Sequence, residues 1–305
     1  MDGFFVASYN LMPLEILQDR ARQALARLQA CELCPRRCGV SRFADERGFC
    51  RTGRRARVAG FAPHYGEEAP LVGSGGSGTI FFCGCNLSCV FCQNYEISQR
   101  NQGHEVSAKA LARMMLALQR QGSHNINLVT PTHVVPQILE ALVLAREEGL
   151  NVPLVYNSSG YDSVETLRLL KGIFDIYMPD AKYGSDDPAL KYSNATNYAD
   201  IMKTAVQEMH RQVGDLALDE DGIAVRGLLV RHLVLPEDAA GTAEVVRFLS
   251  QEISQDTYLN VMAQYRPEYR ACRFPELNRP ITGREYAHAL RLAAHAGLTR
   301  GLAML

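Results

Sequence analysis

Thr79-Ile80-Phe81-Phe82 runs straight into Cys83-Gly84-Cys85-Asn86-Leu87-Ser88-Cys89-Val90-Phe91-Cys92-Gln93-Asn94, and the fold turns on that join. The first four residues are β-formers bounded by a turn signal, so they read as a buried strand. The loop that follows holds three thiols in the spacing Cys-x3-Cys-x2-Cys, at Cys85, Cys89 and Cys92. Such close spacing lets one loop wrap a compact iron–sulfur cubane, whose irons prefer thiolate ligands. A [4Fe–4S] cluster usually takes four protein ligands. A triplet therefore leaves one iron open to a small ligand, by the logic that separates an open catalytic zinc from a closed structural one. Cys83 is an alternative fourth ligand, though only one residue separates it from Cys85. Cys89-x-x-Cys92 alone also fits a thioredoxin-type redox pair, but that motif opens a helix and has no use for Cys85.

Downstream, short apolar runs alternate with longer helical stretches, the rhythm of βα units and a parallel sheet. The strands are expected at Thr79–Phe82, Asn125–Val129, Pro153–Tyr156, Ile173–Met178, Leu228–Leu235 and Thr257–Val261. Between them the pattern predicts helices over Ser107–Gln121 and Val134–Glu148, each followed by glycine, and around Tyr198–Gln212. A capping box is expected at Asp162 with Glu165, and another at Thr282 with Glu285 before a last helix that Gly297 closes. A hairpin is expected to turn at Asp221-Gly222. Six strands make the expected fold α/β, a partial (β/α)6 TIM-type barrel whose functional groups gather at the carboxyl ends of the strands.

Upstream, Leu14, Leu17, Ala21, Ala24, Leu25 and Leu28 recur at helical spacing and predict one amphipathic helix between Pro13 and Ala30. Residues 31–78 carry little periodic signal and many Cys, Gly and Arg, which suggests an irregular N-terminal cysteine-rich module stapled by metal. The expected division is residues 1–78 for this helix and module and residues 79–305 for the barrel. Cys31, Cys34, Cys38 and Cys50 supply four thiols separated by 2, 3 and 11 residues, enough for a tetrahedral zinc or a second iron–sulfur cluster. Arginines surround them, a basic rim suited to an acidic electron donor. Gly73-Ser74-Gly75-Gly76-Ser77-Gly78 satisfies Gly-x-Gly-x-x-Gly literally, but a dinucleotide fingerprint follows a strand and this one precedes it. It reads as a flexible entry to the barrel, with amides that could line the cluster loop.

Bulk composition narrows the rest. Of 305 residues 47% are hydrophobic and 21% charged, the proportions of an ordinary globular chain. Thirty-two Lys and Arg against 33 Asp and Glu leave a formal charge of -1, so no global field draws the chain to nucleic acid or an anionic membrane. The longest apolar stretch, Gly227 to Leu235, is broken by Arg231 and His232 and falls short of the roughly 18 residues a membrane span needs. Met1-Asp2-Gly3-Phe4 shows no signal-peptide pattern, which makes the cytoplasm the expected compartment. There, nine cysteines, eight of them between residues 31 and 92, suit metal or redox chemistry better than disulfides.

The triplet Cys85, Cys89 and Cys92 at the end of a first barrel strand resembles the radical S-adenosylmethionine superfamily. The wider context resembles one subgroup, the homologues of pyruvate formate-lyase activating enzyme, over nearly the whole chain. It runs from Cys31-Glu32-Leu33-Cys34-Pro35-Arg36-Arg37-Cys38 through Cys92-Gln93-Asn94-Tyr95 to Gln264-Tyr265-Arg266-Pro267. The resemblance implies a [4Fe–4S] cluster whose open iron is chelated by S-adenosylmethionine, and reductive cleavage of that cofactor to methionine and a 5'-deoxyadenosyl radical. It also implies a reductant such as flavodoxin or ferredoxin, and a substrate that is a glycine of a partner enzyme, with a small molecule as the alternative. A non-catalytic iron–sulfur electron-transfer protein is the competing class. By position, Asn157 and Ser158 match a stretch that holds a cation beside the cofactor, although the family's carboxylate is absent. Asp180-Ala181-Lys182 resembles an Asp-x-Lys motif, and Arg231 falls in a region that touches the cofactor. Arg231 and His232 point to opposite faces of their strand, and Arg231 is the better partner for a carboxylate. Thr130-Pro131-Thr132-His133 stands where many members carry a glycine-rich motif that binds the methionine amino group.

Overall fold

The computed structural model describes residues 5–302, so the reading of Met1–Phe4 lies outside the described residues. Nine strands are described: β1 (Ala56–His64), β2 (Ser77–Phe82), β3 (His104–Val106), β4 (Ile126–Val129), β5 (Leu154–Ser158), β6 (Ile176–Pro179), β7 (Ala217–Leu218), β8 (Ala224–Leu233) and β9 (Tyr258–Met262). They form one sheet in the order β3-β1-β2-β4-β5-β6-β8-β7, with β9 also paired to β8. The run β2-β4-β5-β6-β8-β9 is parallel throughout. Each strand of that run is followed by a helix, in turn Ala108–Arg120, Val135–Glu147, Val164–Leu169, Tyr198–Val213, Thr242–Phe248 and Gly283–His295. The architecture is thus a partial (β/α)6 barrel, as the six apolar runs predict, with a cysteine-rich stretch ahead of it. β9 does not pair with β2, and the segment 64–72 runs from the end of β1 to β9, where Glu68 accepts a hydrogen bond from Asn260 at 2.6 Å.

The strands are legible because helices cover them outside and side chains fill the barrel inside, which forces near-continuous apolar runs. Every residue of β5 and β6 is buried. Helix Ala108–Arg120 begins where Ser107 accepts from the Ala110 amide at 3.2 Å and buries Leu111, Met115 and Leu118. Burial of each such side chain stabilises the fold by roughly 2 kcal/mol. Helix Leu14–Ala26 buries Leu17, Ala21 and Ala24 and packs on Val135–Glu147 and Val164–Leu169. The hairpin turns at Gly222, with φ +77°, and Thr282 and Glu285 form the reciprocal box.

Three readings change. Residues 31–78 are less irregular than their sequence suggests, because β1 pairs antiparallel with β2. β1 hides from pattern analysis by its Ala, Gly and Pro content and half-exposed face. Asp162 is not a cap. Ser163 takes that position, and Asp162 turns inward to accept from Thr132 (2.7 Å), Tyr156 (3.0 Å) and Ser158 (2.6 Å). The glycine-rich stretch lies at the amino end of β2, where Gly75 donates to His124 at 3.0 Å. Its amides therefore face away from the cysteine loop.

Candidate functional site

β2 ends at Phe82, and the chain reverses its aim at Gly84, whose φ is +82°. A side chain there would be strained and would also strike the Cys50 carbonyl at 2.5 Å. The turn separates two neighbouring thiols. Cys83 is buried and donates to the Gln102 carbonyl at 3.1 Å, on the β3 side, away from the other three. Cys85, Cys89 and Cys92 lie on the other side, and each has a donor or hydroxyl partner. The Leu87 amide donates to Cys85 (3.3 Å), the Ser193 hydroxyl donates to Cys89 (3.0 Å), and Cys92 meets the Ser98 hydroxyl at 3.1 Å. The loop is strapped to helix Asp186–Ser193 through Ser88 N–H to Ser193 C=O and Val90 N–H to Tyr192 C=O. Arg270 N–H to Val90 C=O, at 2.7 Å, holds it from the other side.

Burial pushes the Cys89 thiol up to about 11, although Lys182 and the Ser193 hydroxyl pull against that shift. Burial also raises Cys85, reinforced by the nearby Cys89 and Cys92. The three thiols thus feel one another. Cys85 and Cys89 stay protonated at neutral pH until a cation replaces the protons. Among the described residues, no three Cys, His, Asp or Glu groups lie as close together as one metal ion requires. A single zinc draws its thiolates in to bonds of about 2.3 Å, whereas a cubane places each thiolate on a different iron and so spreads its ligands.

Across a cleft of about 390 Å³ from Cys89 and Cys92 stands a charged cluster, Asp180, Lys182 and Arg231. Asp180 follows β6 and accepts from Arg231 Nε at 2.8 Å and Lys182 Nζ at 2.5 Å. Arg231 also donates to Asn157 Oδ1 at 2.8 Å and faces Glu67 at 3.8 Å. Burial would raise the Asp180 pKa, but Arg231 and Lys182 together hold it below the usual carboxylate range. Burial likewise disfavours the Lys182 cation, and Asp180 more than restores it. The cluster therefore persists as ions beneath an open cleft.

The structure gathers Asn157, Asp180 and Arg231 but not Ser158. Side chains alternate along β5, so Ser158 faces outward and spends its hydroxyl on Asp162. His232 is turned away from the cleft in the same manner, held by the Ala181 carbonyl and Thr242. His133 is buried, its Nε2 at 2.8 Å from the Cys83 carbonyl. Thr130, at the end of β4, has φ +61°, a genuine outlier for a β-branched residue. Glu67 and Glu68 escaped sequence reasoning. Their only signal is a charged pair before Ala69-Pro70-Leu71, and nothing local says that the strap 64–72 carries them to Arg231.

The sequence pattern of the radical SAM superfamily matches residues 79–248, more than half of the chain. This protein belongs to the radical SAM superfamily. Membership implies iron–sulfur and S-adenosylmethionine chemistry, and the match begins at the strand that delivers the three thiols. An uncharacterised protein of Methanocaldococcus jannaschii is 38% identical over 273 residues, covering 86% of this radical SAM chain and 74% of that protein. A second uncharacterised protein of the same organism is 24% identical over 282 residues, covering 86% and 77%. A solved structure titled "Native anSMEcpe with bound AdoMet" has a TM-score of 0.47 at 10% identity, over 70% of this chain and 57% of that one. HydG, a maturase of the [FeFe]-hydrogenase, has a TM-score of 0.48 at 12% identity, over 95% and 56%. The chain spans little more than half the length of those two solved chains. No described helix is long and apolar enough to cross a membrane.

Proposed function

We propose that this protein is a radical enzyme in which Cys85, Cys89 and Cys92 hold a [4Fe–4S] cluster and the adjoining cleft holds S-adenosylmethionine. The observation that carries the reading is the placement of an ion cluster opposite Cys89 and Cys92 across one cleft at the carboxyl ends of the strands. The donor set fits the cluster: three thiols from one loop, each beside a donor or hydroxyl that compensates thiolate charge. When bound and reduced by one electron, these cofactors supply a 5'-deoxyadenosyl radical that abstracts hydrogen from a substrate.

The chain's own residues bind, orient and exclude water. Lys182 and Arg231 are fixed by Asp180, which leaves their remaining donors for an anionic group such as the methionine carboxylate. Asn157 steadies Arg231 through Oδ1. Phe91 and Tyr265 meet edge-on at 5.7 Å, and with Gln93 donating to the Gln264 carbonyl at 2.8 Å they tie the cysteine loop to the segment after β9. That seam limits water at the cleft wall. The reductant is a small acidic electron carrier of the flavodoxin or ferredoxin kind, and the reaction takes place in the cytoplasm. The substrate is a backbone glycine of a partner enzyme, as the likeness to activating enzymes suggests.

The test is anaerobic reconstitution with dithionite and S-adenosylmethionine. Formation of 5'-deoxyadenosine that disappears in Cys89→Ala supports the reading. A fully iron-loaded protein that makes none overturns it in favour of electron transfer. A glycyl signal in electron paramagnetic resonance on a co-incubated partner separates the glycine substrate from a small molecule.

A further inference from the structure

Of the six thiols besides Cys85, Cys89 and Cys92, four belong to one N-terminal segment, Cys31 to Cys50. Cys31, Cys34 and Cys50 are buried, Cys38 is half-buried, and all four are free thiols. The segment that carries them closes on itself: Cys31 N–H donates to Val40 C=O and Gly39 N–H to Cys31 C=O, while Arg37 N–H donates to Cys34 C=O in the turn between. Two of the four sulfurs have a donor aimed at them. The Phe49 amide serves Cys38 at 3.5 Å and Arg42 Nη2 serves Cys50 at 3.4 Å. A neutral thiol accepts hydrogen bonds weakly, whereas a thiolate accepts them strongly. Donors on two sulfurs of four suit thiolates. Gly48 is the residue that lets Cys38 approach, because a Cβ there would lie 2.7 Å from its sulfur.

The apolar support of this module is small. Its own buried cluster is Leu28, Cys31 and Leu33, with Leu25 and Val40 beside it, and its one regular element is the turn Arg42–Ala44. Twenty residues with so little core need another constraint. Yet the module props the cysteine loop of the cleft. The Cys50 carbonyl abuts Gly84. Arg42 donates to the His133 carbonyl at 2.7 Å, and the His133 ring meets the Cys83 carbonyl at 2.8 Å. Arg36 donates to the Asn86 carbonyl at 2.9 Å while its guanidinium stacks 3.8 Å from the Phe49 ring.

We propose that Cys31, Cys34, Cys38 and Cys50 form a second, closed tetrathiolate metal centre, distinct from Cys85, Cys89 and Cys92, that staples the module and thereby positions the cleft's cysteine loop. The ligand chemistry is that of a thiolate-seeking metal, either one zinc ion or a second iron–sulfur cluster. With zinc, four metal–sulfur bonds form, four thiol protons pass to solvent, and no electron is transferred. The four sulfurs do not lie at the separation one ion requires, so a cluster, with each thiolate on a different iron, suits them as they stand, and zinc requires side-chain rotation to draw them in.

The positioning role rests on the function proposed above, but metal content can be read without cofactor cleavage. The full chain, purified anaerobically, is assayed for zinc, iron and sulfide beside Cys38→Ser. One zinc per chain, or about four irons and four sulfides beyond those of the first cluster, supports the centre and names its metal. In Cys38→Ser that increment should fall while the first cluster's iron is kept. Equal metal content in the two proteins overturns the proposal. If Cys38→Ser does not fold, the wild-type chain is titrated with an organomercurial and a coloured metal chelator. Release of the extra metal on blocking four thiols supports the centre, and absence of release overturns it. Loss of 5'-deoxyadenosine formation with all metal in place would count against the cleft assignment alone.

Discussion

Replacement of Asp180 by Asn removes the one charge that holds two cations together beneath the cleft. In the native chain Asp180 accepts from both Arg231 and Lys182, and the variant leaves Arg231 its bond to Asn157 and the more distant carboxylates of Glu67, at 3.8 Å, and Glu68. Breaking a buried pair by removing one partner costs about 3–5 kcal/mol. The three side chains are 12% to 18% exposed, so water reaches the stranded cations and the lower end, about 3 kcal/mol, applies. An unfolding entropy of about 2.1 cal/mol/K per residue converts that loss, over this chain length, into a fall in Tm of about 5 °C. The assay is thermal melting followed by circular dichroism, without added cofactor, between pH 3 and pH 9. Asp180 has a folded pKa below its ordinary value of 3.8, so its contribution is fully present above that value and is lost as pH falls through the lower folded one. The gap between native and variant should therefore be constant from pH 5 to neutrality and close in strong acid. Lys182 has a folded pKa above 10.5, so its share is present below that value and vanishes only in strong base. The double variant Asp180→Asn, Lys182→Met should melt above the single one, since one stranded cation is gone. A single variant that melts with the native protein at pH 7 would refute the argument that the carboxylate holds this cluster.

Gly84→Ala should lower iron loading several-fold after anaerobic reconstitution, because the new Cβ meets the Cys50 carbonyl at 2.5 Å in a φ +82° conformation; iron per chain equal to native would remove the steric argument. Tyr156→Phe takes one of three hydroxyl donors from buried Asp162 and should cost about 1–2 kcal/mol in urea unfolding, where an unchanged midpoint would show that Thr132 and Ser158 suffice. Thr282→Ala breaks the reciprocal cap of the last helix and should cost about 1 kcal/mol. A loss as large as a core truncation would mean that the hydroxyl does more than cap.

The six parallel strands and the cysteine loop were legible because each rests on local chemistry. A strand covered on both faces must be apolar along its length, and a cluster bound by one loop must space its thiols within that loop. Asp162 was misread because a capping box and a buried hydroxyl-bonded carboxylate share one sequence signature, and only the packing of β4 and β5 distinguishes them. β1 was missed because its Ala, Gly and Pro content and half-exposed face leave it neither clean alternation nor bulk.

By itself the sequence determined the parallel βα order, the amphipathic faces and the three thiols after the first barrel strand, all consequences of interactions within a few residues. Tertiary structure alone decided that Cys83 turns away and that Ser158 faces outward. It alone brought Glu67 and Glu68 to Arg231 and laid the Cys50 carbonyl on Gly84. Most of these are contacts between segments tens of residues apart, set by the register of the sheet and by the path of the strap from β1 to β9, which no local pattern encodes.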